Sequence, residues 1–471
     1  MKVLRYLAYL LMISAFFRVI PVITALVYDE PFISFIISAG VSFFFGLGLW
    51  YLTRAKEHEP ALDLTGGLML VALSFIILPV FGAISFLPSF DYSFIDATFE
   101  SVSGFTTTGM TLYDSLDGLP KSLLMWRALT QWLGGIGIIM VFLFIFSRLR
   151  AHAFSKLTEA EEHMSTTSAL YQAQGFTEKA ETGMKNTTRS IFIIYLSYTV
   201  AGTLFLYAAG MRLFDSIAMT FTSLSTGGFT VSDTFYTNDS QLWVLCGLMV
   251  LGAISFISHN KLVQLKFKDF LKTLEKNLFL LFLGLSIVLV LFAYPDLKTV
   301  IFELVSAFTT TGYSMTTIAL LPQLFILVIM VGMLVGGCVA STAGGIKVFR
   351  IYTLVKSIPW ILKKLSSPRK AIIPFRIQDK QVDESNVLII GVFVFCYFLI
   401  ILVGTIVFLL FGYSFLDSSF QMISALGTVG LQTTSLASVP ALGKVILMVA
   451  MIFGRLEIFP VLVLIRSFFR R

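Results

Sequence analysis

Residues 302–313 read FELVSAFTTTGY, and this stretch decides the fold that the sequence predicts. It joins a short amphipathic segment to a hydroxyl-rich turn that ends at Gly312. Three further stretches have the same form: FESVSGFTTTGM with Gly109, AMTFTSLSTGGF with Gly228 and FQMISALGTVGL with Gly430. The chain therefore carries four copies of one short element.

The four copies keep the same residue types when they are aligned on these glycines. A threonine stands two residues before each glycine, a large apolar residue four before it, and a hydroxyl residue six before it. Thirteen residues before the glycine, three copies carry an aspartate, and the third copy has Thr299 with Asp296 just upstream. An aspartate at the start of a helix caps free backbone amides, and its negative charge is stabilised by the positive end of the helix dipole. Each copy therefore predicts a half-helix followed by a glycine turn. The aspartates are Asp96, Asp215 and Asp417.

The composition is that of a membrane protein. The 471 residues are 57% hydrophobic and only 13% charged, and the mean hydropathy is +0.88. A soluble protein would carry about 25% charged residues. The three cysteines stand apart in apolar stretches and predict neither a disulfide framework nor a metal site. The net charge of +7 is concentrated in the loops of one side of the membrane, so it does not indicate a nucleic-acid-binding protein.

Apolar segments of about 20 residues, long enough to cross a bilayer, surround each half-helix. The prediction is an all-α polytopic membrane protein with two extra N-terminal spans and four tandem repeats of span, half-helix and span around a central pore. Ten full spans and four re-entrant half-helices place the basic loops on one side. By the positive-inside rule that side is cytoplasmic. Both termini are then cytoplasmic and the glycine turns open outward.

The repeats divide the chain into seven predicted segments. These are an N-terminal hairpin (1–60), the first repeat (61–150), a cytoplasmic linker (151–189), the second repeat (190–265), the third repeat with a glycine-rich loop (266–365), a cytoplasmic loop (366–385) and the fourth repeat (386–471). The linker, with His152 and His163, could sense pH, contact a partner or be a solvated connection. The basic segment 363–384 could dock a cytoplasmic subunit or attract anionic lipid headgroups.

The glycine turns are the candidate binding site. Non-helical backbone at membrane depth must line a cavity or be buried in protein. Four such turns around one axis would direct backbone carbonyls at a dehydrated cation, and glycine permits the close approach. The alternative is that each glycine only caps a helix C-terminus. The predicted cation-binding residues are Thr107, Thr108, Gly109, Thr226, Gly227, Gly228, Thr310, Thr311, Gly312, Thr428, Val429 and Gly430.

Six motifs together resemble one family of transporters. They are FTTTGM, FTTTGY, STGGFT, RALTQWLGGIGIIM, GGCVASTAGGIK and GRLEIFPVLVL. They resemble the membrane subunit of the Trk/Ktr/HKT superfamily of potassium transporters, and the two extra N-terminal spans resemble its TrkH type. The resemblance implies K⁺ as the transported ion, a homodimer, a separate cytoplasmic ring of nucleotide-binding TrkA-like regulatory subunits, and the bacterial inner membrane. It implies no redox cofactor and no enzymatic activity.

Two further features are candidates for gating. A glycine-rich run breaks the second helix of the third repeat, and in the family the matching segment is an intramembrane gate, although small residues could instead allow close helix packing. An intramembrane arginine, Arg455, is expected to be functional and, in the family, stands near the pore. It could instead form a structural bridge with Glu457 or Glu303. The residues of the predicted gate are Gly336, Gly337, Ser341, Thr342, Gly344, Gly345 and Lys347, together with Arg455.

Some alternatives stay open from the sequence. Glu100 and Glu303 stand nine residues before their glycines, where they could brace the turn or attract cations; Met219 and Gln421 occupy the equivalent positions. An H⁺- or Na⁺-coupled secondary transporter of another cation or a small solute is the rival function, since such proteins also use broken helices. An intramembrane enzyme is disfavoured because no HExxH motif, nucleophile elbow or intramembrane aspartate dyad occurs.

Overall fold

The computed structural model describes residues 2–54, 62, 64–153, 184–236, 238–368, 371, 373–378 and 380–469. Most of the predicted linker 151–189, including His163, lies outside these residues, as does the side chain of His152.

The described part of the chain is almost entirely helical. The N-terminal hairpin, the first two repeats and the start of the third contain α1 (Lys2–Phe17), α2 (Val19–Tyr28), α3 (Ile33–Leu52), α4 (Leu64–Ala83), α5 (Phe94–Phe105), α6 (Lys121–Ala153), α7 (Met184–Ala208), α8 (Leu213–Leu224), α9 (Asp239–Ala253), α10 (Phe256–Val263) and α11 (Phe267–Leu271). The remainder contains α12 (Leu274–Leu291), α13 (Leu297–Phe308), α14 (Gln323–Val335), α15 (Val348–Leu365), α16 (Glu384–Leu410), α17 (Phe415–Leu426), α18 (Ala441–Arg455) and α19 (Phe459–Phe469).

One small hairpin departs from the all-α prediction. Strands β1 (Phe375–Ile377) and β2 (Lys380–Val382) pair antiparallel in the predicted cytoplasmic loop. The Trp360 indole on α15 donates to the Ile373 carbonyl at 2.9 Å and lies 5.2 Å from the Phe375 ring. The alternation in FRI buries Phe375 and Ile377 on one face, which favours a strand over a helix.

The N-terminal hairpin is packed onto the first repeat through a buried arginine. Helix α1 gives way to α2 at Arg18, which is 0% exposed. Its guanidinium donates to the carbonyls of Ser14 and Phe81, each at 3.0 Å, and lies 4.8 Å from the centre of the Trp126 ring. Since Phe81 lies near the end of α4, the arginine satisfies one of the carbonyls that a helix terminus leaves free.

The four half-helices α5, α8, α13 and α17 are the centre of the architecture. Each is 12 residues long, and its glycine follows four residues after its last residue. Each packs against helices of its own repeat and against the second helix of the preceding repeat: α6 on α8, α9 on α13, α14 on α17 and α18 on α5. The last of these contacts joins repeat four to repeat one, so the four repeats form a closed circle.

The half-helices of repeats one and four start with the same side-chain exchange. Ser93 is the N-cap of α5 and donates its hydroxyl to Asp96 at 2.9 Å, and Ser414 donates to Asp417 at 2.6 Å. In return the amides of both aspartates donate to the serine hydroxyls. The expectation that the aspartates themselves cap the helices is therefore wrong by one turn, because serine holds the cap.

Repeat three reverses the two residue types. Asp296 is the N-cap of α13, and Thr299 donates its hydroxyl to the Asp296 carboxylate at 2.6 Å. In repeats one and four the serine comes first and the aspartate three residues later, whereas here the aspartate comes first and the threonine three residues later. The same hydroxyl-to-carboxylate bond forms in all three repeats, so the aspartate of this copy stands three residues earlier than in the others. In repeat two the N-cap of α8 is Arg212, which makes no side-chain cap, although Asp215 still lies in the first turn.

The predicted full spans are only partly visible as continuous helices. Among the described residues, six helices are long and apolar enough to cross a membrane, or eight if each of two bent pairs counts as one span. The second helices of repeats two and four, predicted as continuous, bend by 104° after Ala253 and by 109° after Arg455. Helix α14 has 13 residues and ends at the glycine-rich run. The count of ten spans stays a prediction.

Candidate functional site

All four half-helices end in the same hydrogen-bonded motif. The backbone amide of the threonine two residues before the glycine donates to the carbonyl of the residue three positions earlier. The amide of the next residue donates to the carbonyl of the residue five positions before itself. This is the Schellman pattern of helix C-termini. The first set of bonds is Thr107 to Gly104 (2.9 Å), Thr226 to Ser223 (3.1 Å), Thr310 to Ala307 (3.1 Å) and Thr428 to Ala425 (3.2 Å). The second set is Thr108 to Ser103 (2.9 Å), Gly227 to Thr222 (2.8 Å), Thr311 to Ser306 (2.9 Å) and Val429 to Ser424 (2.9 Å).

A threonine, not the glycine, takes the left-handed position of this motif. The φ angles are 53° for Thr107, 53° for Thr226, 55° for Thr310 and 51° for Thr428. A β-branched residue with positive φ is strained, by roughly 1–3 kcal/mol. The alternative that the glycines only cap helices is therefore excluded, because threonine already does so. The glycines need another explanation.

The glycines lie where each repeat meets the next. A Cβ atom on Gly109 would lie 2.2 Å from the carbonyl oxygen of Gly227, and one on Gly228 would lie 1.9 Å from that of Thr311. A Cβ on Gly312 would lie 1.8 Å from the Val429 oxygen. Real Cβ contacts essentially never fall under 3.0 Å, so only glycine fits at these positions.

The fourth contact closes the set. A Cβ on Gly430 would lie 2.2 Å from the carbonyl oxygen of Thr108, which returns the chain of contacts to repeat one. Each glycine thus lies against the carbonyl of the residue that precedes the next repeat's glycine. The turns form a closed ring of four glycines and four carbonyl groups. This ring, comprising residues 106–109, 225–228, 309–312 and 427–430, is called the glycine ring below.

Hydroxyl groups six residues before the glycines hold three of the turns. The Ser306 hydroxyl donates to the Tyr313 carbonyl at 2.6 Å, and the Ser424 hydroxyl accepts from the Gly430 amide at 3.1 Å. The Thr222 hydroxyl lies 2.5 Å from the hydroxyl of Tyr313, which therefore reaches from repeat three into repeat two. The shared hydroxyl position is a device for fixing the turns and for linking neighbouring repeats.

The first of the two acidic residues braces its turn through a buried ion pair. The Glu100 carboxylate accepts from the Arg127 guanidinium at 2.9 Å, from the Thr111 hydroxyl at 3.0 Å and from the Leu112 amide at 3.2 Å. Arg127 also donates to the Thr230 carbonyl of repeat two at 3.0 Å. Both charged side chains are buried, which makes their pairing necessary. Glu100 supports the segment after its glycine and is linked to repeat two.

The second acidic residue does the same without an ion pair in the described contacts. Glu303 accepts from the Ser314 hydroxyl at 3.0 Å and from the Met315 amide at 2.7 Å, while its other oxygen is buried without a hydrogen bond. Gln421, at the equivalent position of repeat four, instead donates its side-chain amide to the Thr434 carbonyl at 3.4 Å. The geometry therefore favours the bracing alternative for these positions.

Repeat two is held by a residue that the sequence analysis did not single out. Gln131, on α6, donates to the Gly227 carbonyl at 2.5 Å and accepts from the Phe229 amide at 3.1 Å. Repeats one and three instead have a hydroxyl pair within the turn, Thr106 with Thr108 and Thr309 with Thr311, each at 2.8 Å. The ring is thus fourfold in backbone but not in side-chain chemistry.

The glycine-rich loop, residues 336–347 between α14 and α15, packs against the bend of repeat two. The amides of Cys338 and Thr342 donate to the carbonyls of Ala253 at 2.9 Å and Gly252 at 3.1 Å. The Phe256 amide donates back to the Ala340 carbonyl at 2.9 Å. Helix α9 ends here because its last carbonyls are taken by the loop, which accounts for the sharp bend before α10.

The loop also contacts the glycine ring directly. The Gly344 amide donates to the Thr310 hydroxyl at 2.6 Å. A Cβ on Gly344 would lie 2.2 Å from both the Thr428 hydroxyl and the Gly427 carbonyl. The positive φ of 76° at Gly345 and its approach to Gly336 let the loop fold tightly against itself. The loop therefore lies against the threonines of repeats three and four, on the side of the ring towards the ends of α14 and α18.

Arg455 lies at the end of α18 rather than within a continuous last helix. Its guanidinium donates to the carbonyls of Thr342 at 2.6 Å, Gly134 at 2.8 Å and Gly135 at 3.3 Å. The proposed bridges to Glu457 and Glu303 are absent from the described ion pairs, where Glu457 pairs with Arg350 instead. Arg455 is a single cation that joins the loop of repeat three and α6 of repeat one to repeat four.

The remaining predicted gate residues are grouped around the loop. Ser341 donates to the Cys338 carbonyl at 2.5 Å, and Thr342 donates to the carbonyls of Leu224 and Gly252. Lys347, at the end of the loop, has φ of 80° and donates its ammonium to the Ala343 carbonyl. The loop is thus closed internally at both ends and fixed to the neighbouring repeat in its middle.

Each second helix also carries a glycine against its own half-helix, a feature that the sequence analysis missed. A Cβ on Gly134 would lie 2.0 Å from the Phe105 carbonyl, and one on Gly454 would lie 1.9 Å from that of Leu426. Gly252 and Gly332 lie against the ends of α8 and α13. A glycine 20 to 25 residues after each ring glycine is the sequence signal that could have revealed these contacts.

Comparisons with known proteins agree with this architecture. The family model TrkH, described as a cation transport protein, matches residues 33–295 and 297–469. An uncharacterised cation transporter of Methanocaldococcus jannaschii is 31% identical over 472 residues, which cover 99% of this chain and 95% of that protein. The Trk system potassium uptake protein TrkH of Salmonella typhimurium is 28% identical and covers 96% of this chain and 95% of its own length.

A solved structure has the same fold. The crystal structure of the potassium transporter TrkH from Vibrio parahaemolyticus superposes with a TM-score of 0.85 at 27% sequence identity, covering 100% of this chain and 99% of that one. The similar proteins are transporters, so the expectation that this chain is not an enzyme is confirmed. The expected resemblance is confirmed as well.

Proposed function

Because the chain belongs to the TrkH family of cation transport proteins, we propose that it takes up K⁺ across the cytoplasmic membrane through the glycine ring. The Salmonella typhimurium and Vibrio parahaemolyticus relatives are named as potassium proteins, which supports K⁺ as the transported ion. In this proposal the carbonyls around Gly109, Gly228, Gly312 and Gly430 replace the water shell of the ion.

The closed ring of glycine–carbonyl contacts carries this proposal. Each of the four backbone carbonyls lies against the glycine of a neighbouring repeat, and no group of three or more histidine, cysteine or acidic side chains in the described chain could hold a metal ion. Carbonyl and hydroxyl oxygens are the ligands that suit a weakly held monovalent cation in transit. A single ring should discriminate between K⁺ and Na⁺ less strongly than a stack of several rings.

The glycine-rich loop is proposed as the gate, with Arg455 beside it. Its contacts with Thr310 and Thr428 place it against the ring, and its internal hydrogen bonds allow it to move as one unit. A fixed positive charge at Arg455 raises a barrier to cations on the same side. Release of the loop and withdrawal of the Arg455 contact with Thr342 would open the path.

The assembly is proposed to include a second copy of the chain and a cytoplasmic ring of nucleotide-binding TrkA-like subunits. The name of the Salmonella typhimurium relative, a Trk system protein, supports a multi-component system. The hairpin of β1 and β2, held onto Trp360, gives the basic segment 363–384 a defined shape for docking such a partner or lipid headgroups. The distribution of basic residues supports cytoplasmic termini, and the Trk system protein of Salmonella typhimurium supports a bacterial inner-membrane location.

Uptake of radioactive Rb⁺ into liposomes tests the proposal. We expect K⁺ to compete with Rb⁺ far better than Na⁺ does, and we expect Gly312→Ser to weaken this preference because its side chain would meet the Val429 carbonyl. Gly412→Ser is the matched control, since Gly412 has φ of 89° against 87° for Gly312 but no atom within 4 Å.

The results of this experiment distinguish conduction through the glycine ring from ion-coupled transport. Flux that is indifferent to Gly312→Ser, in the presence of the cytoplasmic partner, would contradict the assignment of the ring. Rb⁺ flux that requires a proton or Na⁺ gradient would support the rival coupled transporter.

A further inference from the structure

The four strained threonines of the glycine ring have equivalent backbones but different hydroxyl partners. Thr226 donates to the Ser225 carbonyl at 2.7 Å, whereas Thr310 accepts from the Gly344 amide at 2.6 Å. The hydroxyls of Thr107 and Thr428 are buried without a hydrogen bond among the described residues. Only one of the four is thus bonded to the glycine-rich loop in the described contacts.

Gly344 fills the space between two of these hydroxyls. It donates to Thr310, and a methyl group on it would meet both the Thr428 hydroxyl and the Gly427 carbonyl at 2.2 Å. These oxygens belong to the turns of repeats three and four in the glycine ring, where the Thr107 hydroxyl of repeat one is also buried without a hydrogen bond among the described residues. A buried hydroxyl without a partner costs about 1–3 kcal/mol, so such groups are expected to gain a ligand in another state.

We propose that Thr310 is the positioning residue that couples the gate to the ion, because its hydroxyl oxygen binds either the Gly344 amide or a K⁺ ion but not both. This inference rests on the proposed function. The amide hydrogen and the cation are both electropositive and approach the same oxygen, and Gly344 occupies the volume between Thr310 and Thr428. The closed loop and an ion at the threonine hydroxyls therefore exclude each other.

The coupling has a thermodynamic consequence. A ligand that binds only the open state shifts the population towards that state. K⁺ on the loop side should therefore favour release of the loop, and loss of the Thr310 hydroxyl should both weaken closure and remove this dependence on K⁺.

The test replaces single hydroxyls by methyl groups. Thr310→Val removes the bond to Gly344. Thr199→Val on α7 is the matched control, because the buried Thr199 hydroxyl also accepts an N–H, from the Trp132 indole at 3.1 Å, but lies outside the glycine ring and the glycine-rich loop. Neither substitution changes the branching of the side chain. We expect Rb⁺ flux of the full-length protein, with the loop closed in its resting state, to rise about tenfold in Thr310→Val, the effect of one lost buried hydrogen bond. Thr199→Val should leave it near the wild-type value.

A second measurement distinguishes loss of the dependence on K⁺ from a general weakening of the closed loop. Currents across planar bilayers are compared with K⁺ or with the impermeant cation N-methyl-D-glucamine on the loop side. The wild type and Thr199→Val should open more with K⁺, whereas Thr310→Val should not respond. Thr310→Ser keeps the hydroxyl and should restore both properties. If Thr310→Val does not purify as a monodisperse protein, Thr310→Ala and Thr199→Ala replace the valine pair.

The inference is overturned if Thr310→Val and Thr199→Val behave alike, or if Thr310→Val keeps the response to K⁺. Absence of Rb⁺ flux in the wild type together with its cytoplasmic partner would instead overturn the proposed function. Because the two failures are observed in different proteins, they can be distinguished.

Discussion

Gly430 and Thr108 close the ring: a methyl group on Gly430 would lie 2.2 Å from the carbonyl oxygen of Thr108, although the two residues belong to the last and the first repeats. The contact requires both the missing side chain and the positive φ of 97° at Gly430. It is the contact by which the fourth turn acts on the first.

The first prediction concerns this contact. We expect Gly430→Ala to lower the Rb⁺ flux at least tenfold and to weaken the preference for K⁺ over Na⁺, because the methyl group must displace the Thr108 carbonyl. Gly118→Ala is the control, since Gly118 has φ of 98° but no atom within 4 Å. Equal loss of flux in both variants would mean that backbone strain, not the ring contact, is responsible.

The second prediction concerns the buried ion pair of repeat one. Glu100→Gln leaves the charge of Arg127 uncompensated, and we expect a loss of about 3 kcal/mol in the free energy of unfolding. The double variant Glu100→Gln with Arg127→Met should recover part of this loss, since it removes both charges.

Glu303 supplies the internal control for this ion pair. Its described hydrogen bonds come from Ser314 and Met315 and include no cation, so Glu303→Gln should lower the thermal unfolding temperature much less than Glu100→Gln. A similar decrease in both variants, measured in detergent, would show that bracing and not charge compensation dominates at Glu100.

The third prediction compares two buried arginines. Arg455→Met removes the donor to the carbonyls of Thr342 and Gly134, and we expect a lower unfolding temperature together with a higher resting Rb⁺ flux. Arg18→Met removes the donor to the Phe81 carbonyl in the N-terminal hairpin and should lower stability without changing the flux. A flux that rises equally in both variants would argue against a specific role of Arg455 in the gate.

The fourth prediction concerns pH and the segments that follow the first two turns. Asp233 accepts from the Ser115 hydroxyl and from the Leu116 amide, each at 2.6 Å. These two bonds lower the pKa of Asp233 from its ordinary value near 3.8. A lowered folded-state pKa contributes stability above the ordinary value, and this contribution is lost as the pH falls towards the folded-state pKa.

The measurement is the unfolding temperature as a function of pH. The difference between the wild type and Asp233→Asn should be complete at about pH 5 and above, and should shrink towards about pH 3. Ser115→Ala removes the donor with the largest effect on the carboxylate and should reduce the difference in part. A difference that is constant with pH would show that protonation of Asp233 does not contribute to stability.

The backbone plan of this chain was accessible from the sequence, whereas its side-chain links were not. The common register of threonine and glycine predicted the half-helices and the turns, because local backbone geometry repeats wherever the same residue types recur. The reason for the glycines was not local: Gly312 is required by a carbonyl of Val429 in another repeat. Contacts between segments far apart in the chain leave no periodic signal.

Arg455 and the capping residues show the same limit. The apolar segment around Arg455 has the composition of a continuous helix, yet a helix can end where its terminal groups find partners in another repeat, as at Thr342. The helix cap of repeat three was hard to recognise in the sequence, because Asp296 and Thr299 stand in the reverse order of the serine and aspartate in repeats one and four. Either order allows the hydroxyl to donate to the carboxylate. Charge and hydroxyl positions predict a helix start to within about one turn.

The circular contacts also bear on how the protein is made. During synthesis the chain emerges from its N-terminus, so Thr108 enters the membrane long before Gly430 exists. Until the fourth repeat is inserted, the first turn lacks the neighbour that covers its carbonyl, and a ribosome-bound intermediate has an incomplete ring. The glycine ring is therefore among the last parts to be completed during biogenesis, and a chain truncated before α17 could not form it.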